Sequence, residues 1–288
     1  LPNLRDIRKR ISSVKGTQKL TRAMKLVATV KLRKAQENIL KLRPYADKLL
    51  ETAGIIAARL EEEDHPLLSR MPVKKMILLV LTSDKGMCGS FNSNVIKQTE
   101  SEIRNFRGEE LILVVAGRKG LGRFKASKIN IHKEITGLGE GNAFEKASEL
   151  SKWFIQEFET KKVQSIKIVY NEFKSAVSQK VITEEILPIK RATLDKMWKE
   201  VDFIFEPEKT VLLDRILQMY VATEIYRAIQ ESLASEHGAR MSAMENATRN
   251  AEEMIKNLTL EYNKARQAAI TKELIEIVSG REAQKGIQ

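Results

Sequence analysis

The chain has 288 residues, of which 42% are hydrophobic, 31% charged and 6% aromatic, with a net charge of +12 and one cysteine. A single cysteine excludes an internal disulfide and a cysteine-based zinc site and fits a reducing compartment, and no apolar run reaches the roughly 18–20 residues of a bilayer span. Much charge with few aromatics points to long solvated helices, and the opening LPNLRDIRKRISS has no signal-peptide core, so the sequence reads as soluble and intracellular.

The first segment, 1–60, predicts a coiled-coil helix. Leu4, Ile7, Ile11 and Val14 step by three or four; Leu20, Met24 and Val27 resume the stripe; Ile39, Leu42, Tyr45, Leu49, Ala53, Ile56 and Leu60 continue it. This is a heptad-like seam, narrower than the face of a core helix. Asn3 with Asp6 is a plausible N-cap pair, Gly16 interrupts the pattern, and Pro44 is expected to bend or break the helix. Between Ile7 and Gln36 stand ten basic residues and no acidic one. Such a block binds nucleic acid, an anionic membrane or an acidic protein surface, or it is a solvated face with no partner.

Residues 72–205 have another texture. Met76–Leu81, Leu111–Ala116 and Ile166–Tyr170 are short apolar runs that read as buried strands, and Asn92–Phe106 and Asn142–Thr160 read as helices between them. The alternation predicts a small parallel α/β domain, with a further edge strand near Lys180–Leu187 ended by Pro188.

The third segment, 207–288, begins at Pro207 between Glu206 and Glu208, and Gly280 reads as its stop. Its seam runs from Leu213 through Leu217, Val221, Ala228, Leu233, Met244, Ala251, Met254 and Leu258 to Tyr262. A helix of this length needs a helical partner, and the first segment is the candidate. The expected fold class is α/β plus coiled coil: an antiparallel coiled coil of the terminal helices with an inserted parallel α/β domain.

The strand-to-loop stretch Thr82–Ser90, TSDKGMCGS, has the look of a phosphate-binding or nucleophilic site, but its parts are incomplete. A cysteine nucleophile needs a base, and of the three histidines, His65, His132 and His237, none has a reason to meet Cys88 or the spacing of a metal pair. Gly117 to Gly122 has the outer glycine spacing of a P-loop, but Arg123 and Phe124 stand where lysine and serine or threonine are required. Gly137, Gly139 and Gly141 do not complete GxGxxG. Both glycine clusters read as plain turns. No catalytic, cofactor or metal constellation is assembled.

The stretch YNKARQAAITKELIEIVSG, Tyr262–Gly280, closely resembles the C-terminal signature of the gamma subunit of rotary F-type ATP synthases. TRAMKLVA (Thr21–Ala28), TSDKGMCGS and SEHGARMSAMENATRNAEEMI (Ser235–Ile255) are similar to that family's other landmarks, in the same order, and the likeness covers the chain. The resemblance implies a non-catalytic rotor shaft, with alpha and beta subunits, an epsilon subunit and a c-ring as partners. It implies no cofactor and no nucleic acid. The expected place is peripheral, at the cytoplasmic face of a bacterial cell membrane. It carries over a beta-subunit contact or catch for Arg266, Gln267, Met24, Lys85, Cys88, Arg8, Lys9 and Lys15. Coupling roles fall to Arg240, Thr271, Glu273 and Glu276, and Phe205 and Glu206 fall on the c-ring and epsilon side. Three departures are visible: Arg281 puts a charge at the expected tip, Gly238 is expected to soften the long helix, and the chloroplast regulatory insertion is missing. A nucleic-acid-binding coiled coil and a nucleotide-binding α/β enzyme are the competing readings.

Overall fold

The computed structural model describes residues 4–57, 65–139, 141–176, 178–189 and 209–285. In chain order the elements are α1 (Leu4–Ala57), β1 (Lys75–Leu81), α2 (Phe91–Asn105), β2 (Glu110–Ala116), α3 (Arg118–Ala126), β3 (Lys133–Ile135), α4 (Ala143–Glu159), β4 (Ser165–Phe173), β5 (Gln179–Leu187) and α5 (Lys209–Lys285). Packing divides the chain into two units, residues 28–242 and the pair 1–27 with 243–288, so both long helices contribute to each.

In the smaller unit the helices run antiparallel: Lys25 is ion-paired to Glu245, and one turn earlier on α1 the hydroxyl of Thr21 meets that of Thr248, later on α5. The α1 seam is Ile7, Ile11, Val14, Gln18 and Thr21, in steps of three and four. Leu20 and Val27, expected in the seam, are 60% and 58% exposed. They stand one position off it, and the smaller Thr21 and Ala28 occupy the seam, as a close helix approach favours. On α5 the buried or half-buried positions include Met244, Thr248, Ala251, Ile255, Leu258 and Tyr262, while Met254, expected among them, is 52% exposed.

The larger unit is built on a five-stranded sheet of order β3-β2-β1-β4-β5. β1 pairs in parallel with β2 and β4, β2 in parallel with β3, and β5 closes one edge antiparallel to β4. Strands buried on both faces read as continuous apolar runs, and β1 shows why. Ile77, Leu79 and Leu81 point to one layer with α4 and α5, through Leu150, Phe154, Val221 and Ile225. Leu78 and Val80 point to the other, against Val95 of α2 and Leu121 and Phe124 of α3. Leu32, Ala35 and Ile39 of α1 pack on Ala234 of α5.

Several expectations need correction. Of the expected bend or break at Pro44 the break is absent, since α1 is one helix that runs through Gly16 and Pro44. Pro44 is exposed, so the seam residues around it, Ile39, Ala46 and Ala53, stay buried; Tyr45, expected in the seam, is 49% exposed. α5 likewise continues past Gly280 to Lys285. A glycine permits a stop without forcing one, and the residues that follow, Arg281–Lys285, include good helix formers. The Gly117–Gly122 cluster is the start of α3 rather than a plain turn, and β3 was not foreseen. Asn3, Leu60, Phe205, Glu206, Pro207 and Glu208 lie outside the described residues, as do the side chains of Ile56, Leu213 and Arg281.

Candidate functional site

The turn after β1 holds the carboxyl end of the sheet together. Thr82 Oγ1 donates to the carbonyl of Ala116 at 2.8 Å and accepts from the amide of Gly120 at 2.9 Å. Asp84 accepts from the amides of Arg118 (3.0 Å) and Gly137 (2.8 Å), and the Ser83 carbonyl accepts from the amide of Lys119. These are the first amides of α3, which a helix N-terminus would otherwise offer to an anion. Here an aspartate and two neighbours of the same turn take them. Gly117, at φ +98, is required for this close fit, because a Cβ would collide with the Thr82 carbonyl.

Cys88 is 2% exposed. Its Sγ accepts from Asn92 Nδ2 at 3.2 Å and lies 3.7 Å from Ser83 Oγ. Burial pushes the thiol up from its ordinary value, against the opposing pull of Ser83 and Arg240. A thiol held protonated and facing inward is not an activated nucleophile. The turn's exposed side chains are Lys85, Ser90 and the 62% exposed Met87, whose φ is +60, while Cys88 lies just beneath them.

Helix α5 crosses the sheet where the strand order reverses, between β1 and β4. Ser235 Oγ donates to the carbonyl of Asn171 on β4 at 3.0 Å. Arg240 Nη2 donates to the carbonyls of Lys85 (3.0 Å) and Gly86 (3.4 Å), with Nε also on Gly86. The guanidinium is ion-paired to Glu236 at 2.7 Å and its Nη1 lies 3.4 Å from His237 Nδ1. In open α/β sheets this crevice is the place where ligands bind. Here the chain's own helix spans it, tied to both sides by Ser235 and Arg240. Gly238 serves the same approach, since a Cβ there would stand 3.0 Å from the Ala176 carbonyl oxygen. It is therefore also a packing glycine.

Burial shapes the charges of this region. His237 is pushed down to about 4, first by burial and then by Arg240 and Lys31, so it is neutral at physiological pH. Burial raises the Glu236 carboxyl while Arg240 pulls it down. Further along α5, Arg227 donates to Glu224 (Nε, 3.1 Å) and Glu184 (Nη2, 2.9 Å) and lies 3.8 Å from Glu231. Tyr170 Oη donates to the other oxygen of Glu184 at 2.9 Å. Burial raises both Glu224 and Glu231, partly offset by Arg227. Sequence reasoning missed this network; an Arg with Glu residues three before and four after it was the available signal.

Of the residues carried over from the resemblance, Arg8, Lys9 and Lys15 are exposed on α1 and Met24 is half-buried. Arg266, Gln267, Thr271, Glu273 and Glu276 are exposed on α5, where Thr271 Oγ1 donates to the Gln267 carbonyl at 2.9 Å and Lys272 pairs with Glu276 at 3.7 Å. Arg240 and Lys85 are brought together through the backbone of the turn. Residues 271–280 are all exposed, with Leu274, Ile275, Ile277 and Val278 each more than half so. Among the described residues no group of His, Cys, Asp and Glu is placed to hold a metal ion, and no helix is long and apolar enough to cross a membrane.

Two long terminal helices, antiparallel where they pair, with an inserted α/β domain of mostly parallel strands define an α/β-plus-coiled-coil class. The comparisons make it specific. The family model described as ATP synthase matches residues 3–284. The ATP synthase gamma chain of Anaeromyxobacter sp. (strain Fw109-5) is 47% identical over 290 residues, covering 99% of this chain and 100% of that one. The solved central stalk and c-ring of the Tetrahymena thermophila mitochondrial ATP synthase contains a chain 26% identical, with a TM-score of 0.60, covering 79% of this chain and 99% of that one. A chain of the Euglena gracilis mitochondrial ATP synthase matches in fold, at 20% identity and a TM-score of 0.67, over 98% of this chain and 94% of its own. The chain belongs to the ATP synthase gamma-chain family. This assignment replaces the nucleic-acid reading of the basic helix.

Proposed function

We infer that this chain is the central rotor shaft of an F-type ATP synthase. It couples rotation of the c-ring, driven by protons or sodium ions, to conformational cycling of the catalytic beta subunits, and catalyses nothing itself. The observation that carries the reading is the full-length match to gamma chains at 47% identity, joined to an α5 helix tied across the sheet crevice. Partners are the alpha and beta subunits of the head, an epsilon subunit and the c-ring. The protein is peripheral, held at the cytoplasmic face of the bacterial cell membrane through the c-ring.

The exposed basic face of α1, with Arg8, Lys9 and Lys15, suits acidic segments of the beta subunits. Exposed ion pairs are individually worth about 0–1 kcal/mol, so such a contact orients without pinning. Met24, Lys85 and Cys88 extend this set; Arg266 and Gln267 form the catch; Arg240, Thr271, Glu273 and Glu276 serve coupling. Phe205 and Glu206 belong to the c-ring and epsilon side. The test is the Arg266→Ala, Gln267→Ala double variant in the assembled complex. Torque or coupled ATP synthesis is expected to fall while assembly holds. Unchanged hydrolysis and rotation would remove the catch, and ATP turnover by the pure chain would sink the non-catalytic reading.

A further inference from the structure

We propose that Glu236 is a positioning residue for the shaft's contacts: it fixes the Arg240 guanidinium so that its fork grips the Lys85 and Gly86 carbonyls, and that grip holds the turn Thr82–Ser90 in the conformation that displays Lys85 and Met87. The Glu236 and Arg240 side chains are 14% and 11% exposed and one helical turn apart on α5. The grip is long-range, joining residues 154 or 155 apart in sequence. Among the described residues, the remaining neighbours of the guanidinium offer no second negative charge at contact distance. His237 is neutral, the two carbonyls are dipoles, and the nearby Lys31 of α1 is repulsive.

The role of Glu236 follows from what its loss leaves behind. A buried guanidinium with only neutral partners is costly, and a charge in that position turns toward water where it can. Water is close: Arg240 lines an open cleft of about 460 Å³ together with Lys31, Lys34, Asp84 and Lys85. If Arg240 swings into that cleft, the carbonyls of Lys85 and Gly86 lose their donors. The next residue, Met87, sits at φ +60, a conformation that a non-glycine residue keeps only when its surroundings over-determine it. The turn then relaxes, and the buried thiol of Cys88, the next residue after Met87, opens with it.

Cys88 is the chain's one cysteine and so a built-in reporter. The experiment labels the full-length chain with N-ethylmaleimide under native conditions and follows modification of Cys88 by mass spectrometry, in Glu236→Gln, Glu236→Ala and Arg240→Lys. Glu236→Gln keeps shape and removes only charge, so it guards against a variant that fails to fold. Leu150→Ala, a core truncation on α4, controls for general destabilisation.

Labelling is expected to accelerate about tenfold or more in both Glu236 variants, the loss of one charge-assisted hydrogen bond, and less in the Leu150 control. Unchanged labelling in both Glu236 variants overturns the proposal. A second arm, ion pumping per ATP hydrolysed, rests on the rotor reading above, whereas the labelling arm does not. Faster labelling with lowered coupling supports the full proposal. Faster labelling with full coupling overturns its functional half and leaves the rotor reading untouched.

Discussion

The hydroxyls of Thr21 and Thr248 face each other at 2.8 Å across the antiparallel helices, with the Gln18 carbonyl 3.0 Å from the first and the Met244 carbonyl 2.7 Å from the second, so one hydroxyl donates across the pair and the other donates back to its own helix. A hydroxyl pair inside an apolar seam is a shared commitment, because removing one partner strands the other. Thr21→Val or Thr248→Val alone is expected to cost about 1 kcal/mol, and the double variant less than the sum of the singles. Urea denaturation of the four chains gives the cycle; strict additivity would show that the contact carries no coupling.

Arg227 is ion-paired to all three of the Glu224, Glu184 and Glu231 carboxylates. Arg227→Met is expected to destabilise the protein by about 3–5 kcal/mol at neutral pH, since it leaves buried carboxylates uncompensated. The loss should shrink on acidification, because protonation relieves it. A loss below 1 kcal/mol at pH 7, read from denaturant midpoints, would mean that solvent already reaches the cluster.

His237 gives stability an acid limb. Its folded value of about 4 lies below the ordinary 6.5, so the unfolded chain binds the proton that the native chain refuses. Stability from this group is therefore complete above pH 6.5 and lost as pH falls toward 4, by about 3 kcal/mol at the bottom of that window. The raised carboxyls of Glu224, Glu231 and Glu236 act with the opposite sign, favouring the native state at low pH. His237→Gln isolates the histidine contribution. The stability difference between it and the parent should change by about 3 kcal/mol between pH 7 and pH 4, and a pH-independent difference would refute the shift.

Two glycines five residues apart should respond in opposite directions. Gly117→Ala places a side chain at φ +98 and into the Thr82 carbonyl, and is expected to cost about 2–5 kcal/mol. Gly122→Ala, within α3 and facing open space, is expected to stabilise by about 0.5–1 kcal/mol. Thermal unfolding of the two variants checks both signs at once.

The strands β1, β2 and β4 were legible because a strand covered on both faces is an unbroken apolar run, and the heptad of α1 was legible at Ile7, Ile11 and Val14 for the same reason of contrast. The seam was misread at Leu20 and Val27 because hydrophobicity ranks leucine above threonine, while close helix approach ranks size. Helix α3 was hidden by its glycines, whose purpose is tertiary: Gly117 and Gly120 let the helix start against Thr82. β3 is three residues long and two of them, Lys133 and Glu134, are charged. The Arg240 grip could not be read at all, because its partners are backbone carbonyls, which every residue carries.

Asp84 at the start of α3 and Ser235 with Arg240 across β1 and β4 leave the sheet with an occupant that is tethered to it. A tethered occupant acts at an effective concentration that a diffusing molecule of ordinary affinity does not match. The domain therefore behaves as a collar closed on its own axle. A compound that did win that crevice would have to prise helix from sheet, and its signature would be slippage between them rather than competition with a substrate.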